Sequence, residues 1–168
     1  CGKLLTHTSV DCRDASEAAH QDVMHFFYDA QSRPAKVRFN GTIYTYLQNL
    51  QGDIVGLLDN SGALVVEYRY GAWGNPLATT GSLAATLSKR NPFRYRGYVY
   101  DEESELYYLR SRYYASFINR CISADIFVMP EKDLRNSNMY SYCRNMVTCG
   151  IDPDGTKWWQ AVLNWAAE

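Results

Sequence analysis

His7, Ser9 and Asp11 stand within five consecutive positions and supply the residue types of a hydrolytic triad. A triad is an arrangement in space, and closeness along the chain does not create it, so this cluster predicts no catalysis. His20 and His25 are five apart, off the three- or four-residue spacing that would set two imidazoles on one helical face for a metal. The five cysteines, Cys1, Cys12, Cys121, Cys143 and Cys149, contain no CxxC pair and fit neither a zinc ribbon nor a complete disulfide framework. Cys143 and Cys149 are near enough to pair across a loop, although a small buried thiol is the commoner use of cysteine. Asp59-Asn60-Ser61-Gly62 begins like a calcium loop but lacks the later ligands. Neither a cofactor nor a metal is expected.

The densest cluster of functional side chains is "SELYYLRSRYYASFINRCISADIF", residues 104–127, where Tyr107-Tyr108 and Tyr113-Tyr114 are interleaved with Arg110, Arg112 and Arg120. Adjacent tyrosines put one ring on each face of a strand. Arg110 and Arg112 fall on the same face as Leu106, Tyr108 and Tyr114, on which guanidinium groups can stack on rings. Such a face would suit carbohydrate or another protein chain as a binding partner.

The elements that must hold these residues are β-strands. The chain has 168 residues and a formal charge of −1, from 17 basic and 18 acidic side chains. That balance gives no electrostatic reason to expect nucleic acid as partner. No run reaches the ~18 apolar residues of a membrane span. The start carries no initiator Met or signal-like stretch, so the sequence reads as a piece of a longer polypeptide. Fourteen tyrosines against six phenylalanines favour pleated surfaces where a ring packs and a hydroxyl still finds a partner.

Residues 1–25 read as an irregular or helical lead-in with Asp14 or Ser16 as cap. From Phe26 onward, short aromatic and β-branched runs alternate with turns at Asn40-Gly41, Gln51-Gly52, Asp59–Gly62 and Gly74-Asn75-Pro76. Turns about ten residues apart predict antiparallel hairpins. In "VVEYRY", Val66, Tyr68 and Tyr70 fall on one face and Val65, Glu67 and Arg69 on the other. A strand-ending tyrosine recurs at Tyr28, Tyr46, Tyr70 and Tyr100, marking hairpins that need neighbours to bury a face. Residues 78–92 break the pattern with a helical turn or loop. Trp158, Val162 and Trp165 are at helical spacing and predict a short C-terminal amphipathic helix.

The ordered motifs carry a resemblance. "NGTIYTYLQNLQGDIVGLLDNSGALVVEYRYGAWGNPL" resembles YD repeats, and "NPFRYRGYVYDEESELYYLRSRYYASFINRCISAD" resembles the Rhs repeat-associated core. "NMYSYCRNMVTCGIDPDG" is similar to that family's closing element. The resemblance spans residues 26–156 and implies a mainly β fold, an antiparallel hairpin ribbon of YD repeats. That ribbon would form part of a curved shell wall, closed by an irregular core plug. It divides the chain into a lead-in (1–25), YD-repeat hairpins (26–92), the core (93–156) and the start of a variable C-terminal region (157–168).

In bacterial polymorphic toxins and Tc toxin C subunits such a shell encloses a C-terminal toxin, and self-cleaving members use an aspartate-based site. The resemblance therefore implies an encapsulation and processing module of a secreted or cell-surface toxin. Its partners would be the C-terminal toxin segment of the same chain and the remaining shell, with self-association through exposed strand edges. It also carries Asp125, Asp152 and Arg120 as catalytic candidates, with scission after Thr156. A carboxylate pair sharing a proton supplies a base for water and an acid for the leaving amide. The alternative role of both aspartates is to cap turns. Asp125-Ile126, Gly155-Thr156, Asn119 and Cys121 depart from the family's usual Asp-Pro, Gly-Leu, Gly and aromatic residues, which predicts little or slow scission.

Overall fold

One turn geometry recurs through the first part of the computed structural model, which describes residues 3–10, 21–125, 138–148 and 150–156. At Asp29, Asn49, Asp59 and Gly71 the amide of residue i donates to the carbonyl of residue i+4, and the amide of residue i+3 donates back to the carbonyl of residue i. The i+3 positions, Ser32, Gly52, Gly62 and Gly74, all have positive φ. This is a type I turn followed by a left-handed bulge residue, whose twist matches that of flanking strands. Asp29, Asn49 and Asp59 reinforce it with side-chain oxygens that accept from the loop amides of Arg33, Gln51 and Ser61.

The turns join strands β1 (Thr6–Val10), β2 (Gln21–Tyr28), β3 (Pro34–Phe39), β4 (Thr42–Gln48), β5 (Ile54–Leu58), β6 (Leu64–Tyr70) and β7 (Pro76–Thr80). They lie side by side in chain order in one seven-stranded sheet. The chain divides into two compact units, one holding Cys1–Arg69 and Ala78–Asn91, the other Tyr70–Leu77 and Pro92–Glu168. The segment Tyr70–Leu77, which holds the β6–β7 turn, groups with the second unit.

The lead-in expectation is corrected over its described residues. Thr6–Val10 and Gln21–His25 pair as antiparallel strands, Thr6 opposite His25 and His7 opposite Met24. Strand pairing of Thr6, Thr8 and Val23 outweighs the weak helical propensity, because a β-branched side chain gains more on a pleated surface. Asp11, Asp14, Ser16 and His20 lie outside the described residues, as does the predicted helix at 157–168.

Met24, Phe26, Val37, Tyr46, Ile54, Leu57, Val66 and Tyr68 fill the first unit's interior. Val66 and Tyr68 share the buried face, as their spacing predicts. Val65, on the opposite face, is covered too, because the Gly81–Leu83 segment crosses it and the Leu83 amide donates to its carbonyl. The break at 78–92 contains one short helix, α1 (Leu87–Arg90). After it, buried Asn91 accepts from the Tyr46 hydroxyl (2.6 Å) and donates to Tyr68 (3.2 Å), which satisfies phenols that would otherwise be costly to bury.

The second unit carries β8 (Val99–Asp101), β9 (Leu106–Tyr108), β10 (Tyr113–Ala115) and β11 (Arg120–Cys121), an antiparallel sheet in the order β11-β10-β9-β8. Tyr107 and Tyr114 are fully buried, and Tyr108 and Tyr113 point outward, so each pair serves both faces. Tyr95, Tyr98, Tyr107, Tyr114 and Tyr142 form the core with Leu109, Cys121, Cys143 and Val147. Tyr95, Tyr107 and Tyr114 donate to the carbonyls of Ala72 (3.0 Å), Gly74 (2.7 Å) and Trp73 (2.6 Å). Three phenols thus saturate three consecutive carbonyls of the β6–β7 turn, a task phenylalanine could not perform.

Candidate functional site

The hairpin turn between β9 and β10 sets the geometry of the site. Leu109 donates to the Arg112 carbonyl (2.9 Å), and Arg110 has φ of 71°, so the chain reverses within four residues. The period of two fails here, and the common face expected for Leu106, Tyr108, Arg110, Arg112 and Tyr114 does not form, since Tyr108 is exposed and Tyr114 buried. Arg110 is exposed, whereas Arg112 turns inward and is buried.

The Arg112 guanidinium binds both aspartates. Nη2 donates to Asp152 Oδ2 (2.7 Å) and Nη1 to the Met139 carbonyl (3.3 Å), while Nη1 also lies 3.1 Å from Asp125 Oδ2 as an ion pair. Asp152 is 1% exposed, and its charge is compensated by charge-assisted bonds of the strong kind. Tyr98 donates to the Asp152 carbonyl (2.7 Å), and its hydroxyl lies 3.1 Å from that of Tyr142. Burial pushes both phenols well above their ordinary range, so they remain protonated.

The next residues are held as firmly. Asp154 accepts at its carbonyl from the Ser111 amide (3.3 Å) and hydroxyl (2.7 Å). Its carboxylate accepts from the amide (3.1 Å) and hydroxyl (2.7 Å) of Thr156. Gly155 has φ of 77°, and a Cβ there would run into Ser111 Oγ. The Asp-Pro-x-Gly element therefore lies against the β9–β10 turn, fixed at Asp152, Asp154 and Thr156.

Of the three candidates from sequence, Asp125 and Asp152 meet on one guanidinium. Arg120 stands apart: it is exposed on β11, its backbone paired with Ala115 and bridged to Ser141. The arginine of the site is Arg112. Its signal in the sequence was a basic residue placed in a tight turn, where alternation no longer assigns a face.

Each carboxylate faces its own terminal nitrogen of the guanidinium, an arrangement of two ion pairs on one cation. An aspartic dyad instead has two carboxyl groups sharing a proton. Two buried thiols border the cluster. Burial pushes Cys121 up to about 11 and Cys143 up to about 12, the nearby Asp152 charge adding to both. Both are therefore protonated near neutral pH and are not nucleophiles. The proposed partner of Cys143, Cys149, lies outside the described residues. Thr6 Oγ1 lies 3.2 Å from His25 Nδ1 on the first sheet.

No family model matches the chain. Over 73% of its length the chain is 40% identical to the tRNA3(Ser)-specific nuclease WapA of Bacillus spizizenii. Over 71% it is 41% identical to the tRNA nuclease WapA of Bacillus subtilis. The chain spans about 5% of the length of each of these relatives. A crystal structure of TcdB2-TccC3-Cdc42 matches 90% of the chain and 7% of its own, with a TM-score of 0.68 at 22% identity, which shows a shared fold. Motif order, antiparallel architecture and these similarities together identify the chain as an Rhs-type, YD-repeat polypeptide.

Proposed function

We infer that the chain is a structural closing module of an Rhs-type toxin, in which Arg112 clasps the end of the repeat region through Asp125 and Asp152. The single observation carrying this reading is that one buried guanidinium ties the β9–β10 turn to the Asp-Pro-x-Gly element. The names of the WapA nucleases and of TccC3 support a toxin as the larger protein. In that setting the hairpins would be a stretch of curved shell wall and the second unit its plug. The enclosed partner would be the segment after Thr156, in a protein that is secreted or displayed at the cell surface. Strand edges at β1 and β7 would join the remaining shell or, in isolation, a second copy.

A second reading is favoured by the convergence of Asp125 and Asp152: an aspartyl autoprotease cutting after Thr156. It requires one carboxylate to give up its bond to Arg112 and hold a proton. A carbohydrate- or protein-binding tyrosine–arginine face has less support, because Tyr107, Tyr114 and Arg112 are spent on the interior.

The intact mass of the natural polypeptide extended beyond residue 168 separates the first two readings. The structural module leaves the chain whole or cuts it slowly. Prompt and complete scission after Thr156, abolished by Asp152→Asn, contradicts it.

A further inference from the structure

Of the chain's asparagines, Asn40 alone is followed by glycine. In an Asn-Gly step the glycine nitrogen reaches the side-chain carbonyl carbon of the asparagine with no following side chain in its way. The two residues form the tight turn between β3 and β4. Phe39 pairs with Thr42 across it, and both turn residues have positive φ, 47° at Asn40 and 90° at Gly41. Both are exposed, and a Cβ on Gly41 would meet nothing within 4 Å among the described residues, so this side of the turn stands open.

What restrains the step is β2. The Val23 amide donates to Asn40 Oδ1 (2.9 Å), Asn40 Nδ2 donates to Asp22 Oδ1 (2.8 Å), and the Asn40 amide donates to the Val23 carbonyl (3.1 Å). The side chain is thus an extra rung beside β2, with its oxygen and its nitrogen both engaged. Swinging Cγ onto the Gly41 nitrogen means giving up both bonds. Asp22 Oδ2 is held in turn by Arg90 Nε (3.0 Å), so the amide belongs to a line of contacts from the β3–β4 turn through β2 to α1.

We propose that Asn40 is a deamidation site gated by β2, which cyclises when the contact between β2 and the turn opens and so records that opening covalently. The Gly41 nitrogen bonds to Asn40 Cγ and loses its proton, the Cγ–Nδ2 bond breaks, and Nδ2 leaves as ammonia. Water then opens the succinimide ring at either carbonyl, giving aspartate or isoaspartate, with nothing oxidised or reduced. The product has no Nδ2 to donate, and its carboxylate faces that of Asp22, where like charges repel. Isoaspartate also adds a methylene to the backbone of the turn. The rung therefore does not re-form.

Mass-resolved peptide mapping of the whole chain after storage in mildly alkaline buffer tests this against a free peptide of residues 36–46. Asn40 in the folded chain converts at least about tenfold more slowly than in the peptide, the protection following the free energy of local opening. Asp22→Ala removes the acceptor of Nδ2 and brings the rate towards that of the peptide, whereas Arg69→Ala, at an exposed position of β6, leaves it unchanged. Near-ultraviolet circular dichroism confirms that each variant is folded. Asn40→Asp, which carries the product of the step, melts at a lower temperature than the native chain. Asp22→Asn in that background recovers part of the loss by restoring a donor between the two positions. Conversion of the folded chain at the peptide rate, a rate indifferent to Asp22→Ala, or an Asn40→Asp variant as stable as the native chain overturns the proposal. The peptide comparison and the Asn40→Asp melt decide it even where Asp22→Ala does not fold. None of these readouts involves Arg112, Asp125 or Asp152.

Discussion

Arg112 Nη2 and Asp152 Oδ2 meet at 2.7 Å in a region from which water is excluded, joining residues 40 apart in sequence. Removing only the cation strands a buried carboxylate, which costs more than the pair itself contributes. Arg112→Leu is expected to lower unfolding free energy by about 3–5 kcal/mol. The paired change Arg112→Leu with Asp152→Leu recovers part of that loss. Urea melts of the three variants, read as a double-mutant cycle, check this.

Phenol positions separate by burial. Tyr107→Phe and Tyr114→Phe each leave a carbonyl of the β6–β7 turn without its donor and cost about 1–3 kcal/mol. Tyr108→Phe and Tyr113→Phe, whose rings face outward, change stability little. Thermal unfolding of the four variants under one condition measures the contrast.

Two glycines with similar backbone conformations should respond unequally to alanine. Gly155 and Gly62 have φ of 77° and 83°, but a Cβ at Gly62 meets open space whereas one at Gly155 meets Ser111 Oγ. Both substitutions carry the left-handed penalty of about 1–2 kcal/mol. Gly155→Ala adds a steric conflict at the turn where the closing element docks, so its melting temperature falls further than that of Gly62→Ala.

The buried thiols make stability fall in alkali. Cys121 and Cys143 have ordinary values of 9.0, raised by burial to about 11 and about 12. The unfolded chain releases these protons first, so their contribution is complete below about pH 9 and declines as pH rises towards 11–12. Cys121→Ala with Cys143→Ala should flatten that part of the stability curve. In the native chain neither thiol should react with a maleimide at pH 8 as fast as in urea.

Antiparallel hairpins were legible because turn residues and a two-residue period act locally: Asp59 to Gly62 fixes its bulge without help from distant residues. The paired tyrosines were legible for the same reason, and their opposite exposures follow from pleat alone. The site was legible in part. Asp125 and Asp152 came from resemblance to a family, and the structure brings them together. Arg112 was missed because a left-handed residue at Arg110 breaks the alternation, and no local rule says which way a side chain points after such a turn. The strands at Thr6–Val10 and Gln21–His25 were missed because their pairing depends on a partner across residues 11–20, where helical propensity dominates the local signal.

Hydrogen exchange of the amides of residues 150–156, compared between the native chain and Arg112→Gln, tests the clasp most directly. Slow exchange in the native chain is expected, with rates in this segment rising by about tenfold or more in the variant while those of β2–β6 stay as they were. Rapid exchange of the segment in the native chain, or no local change on loss of the guanidinium, would contradict the account.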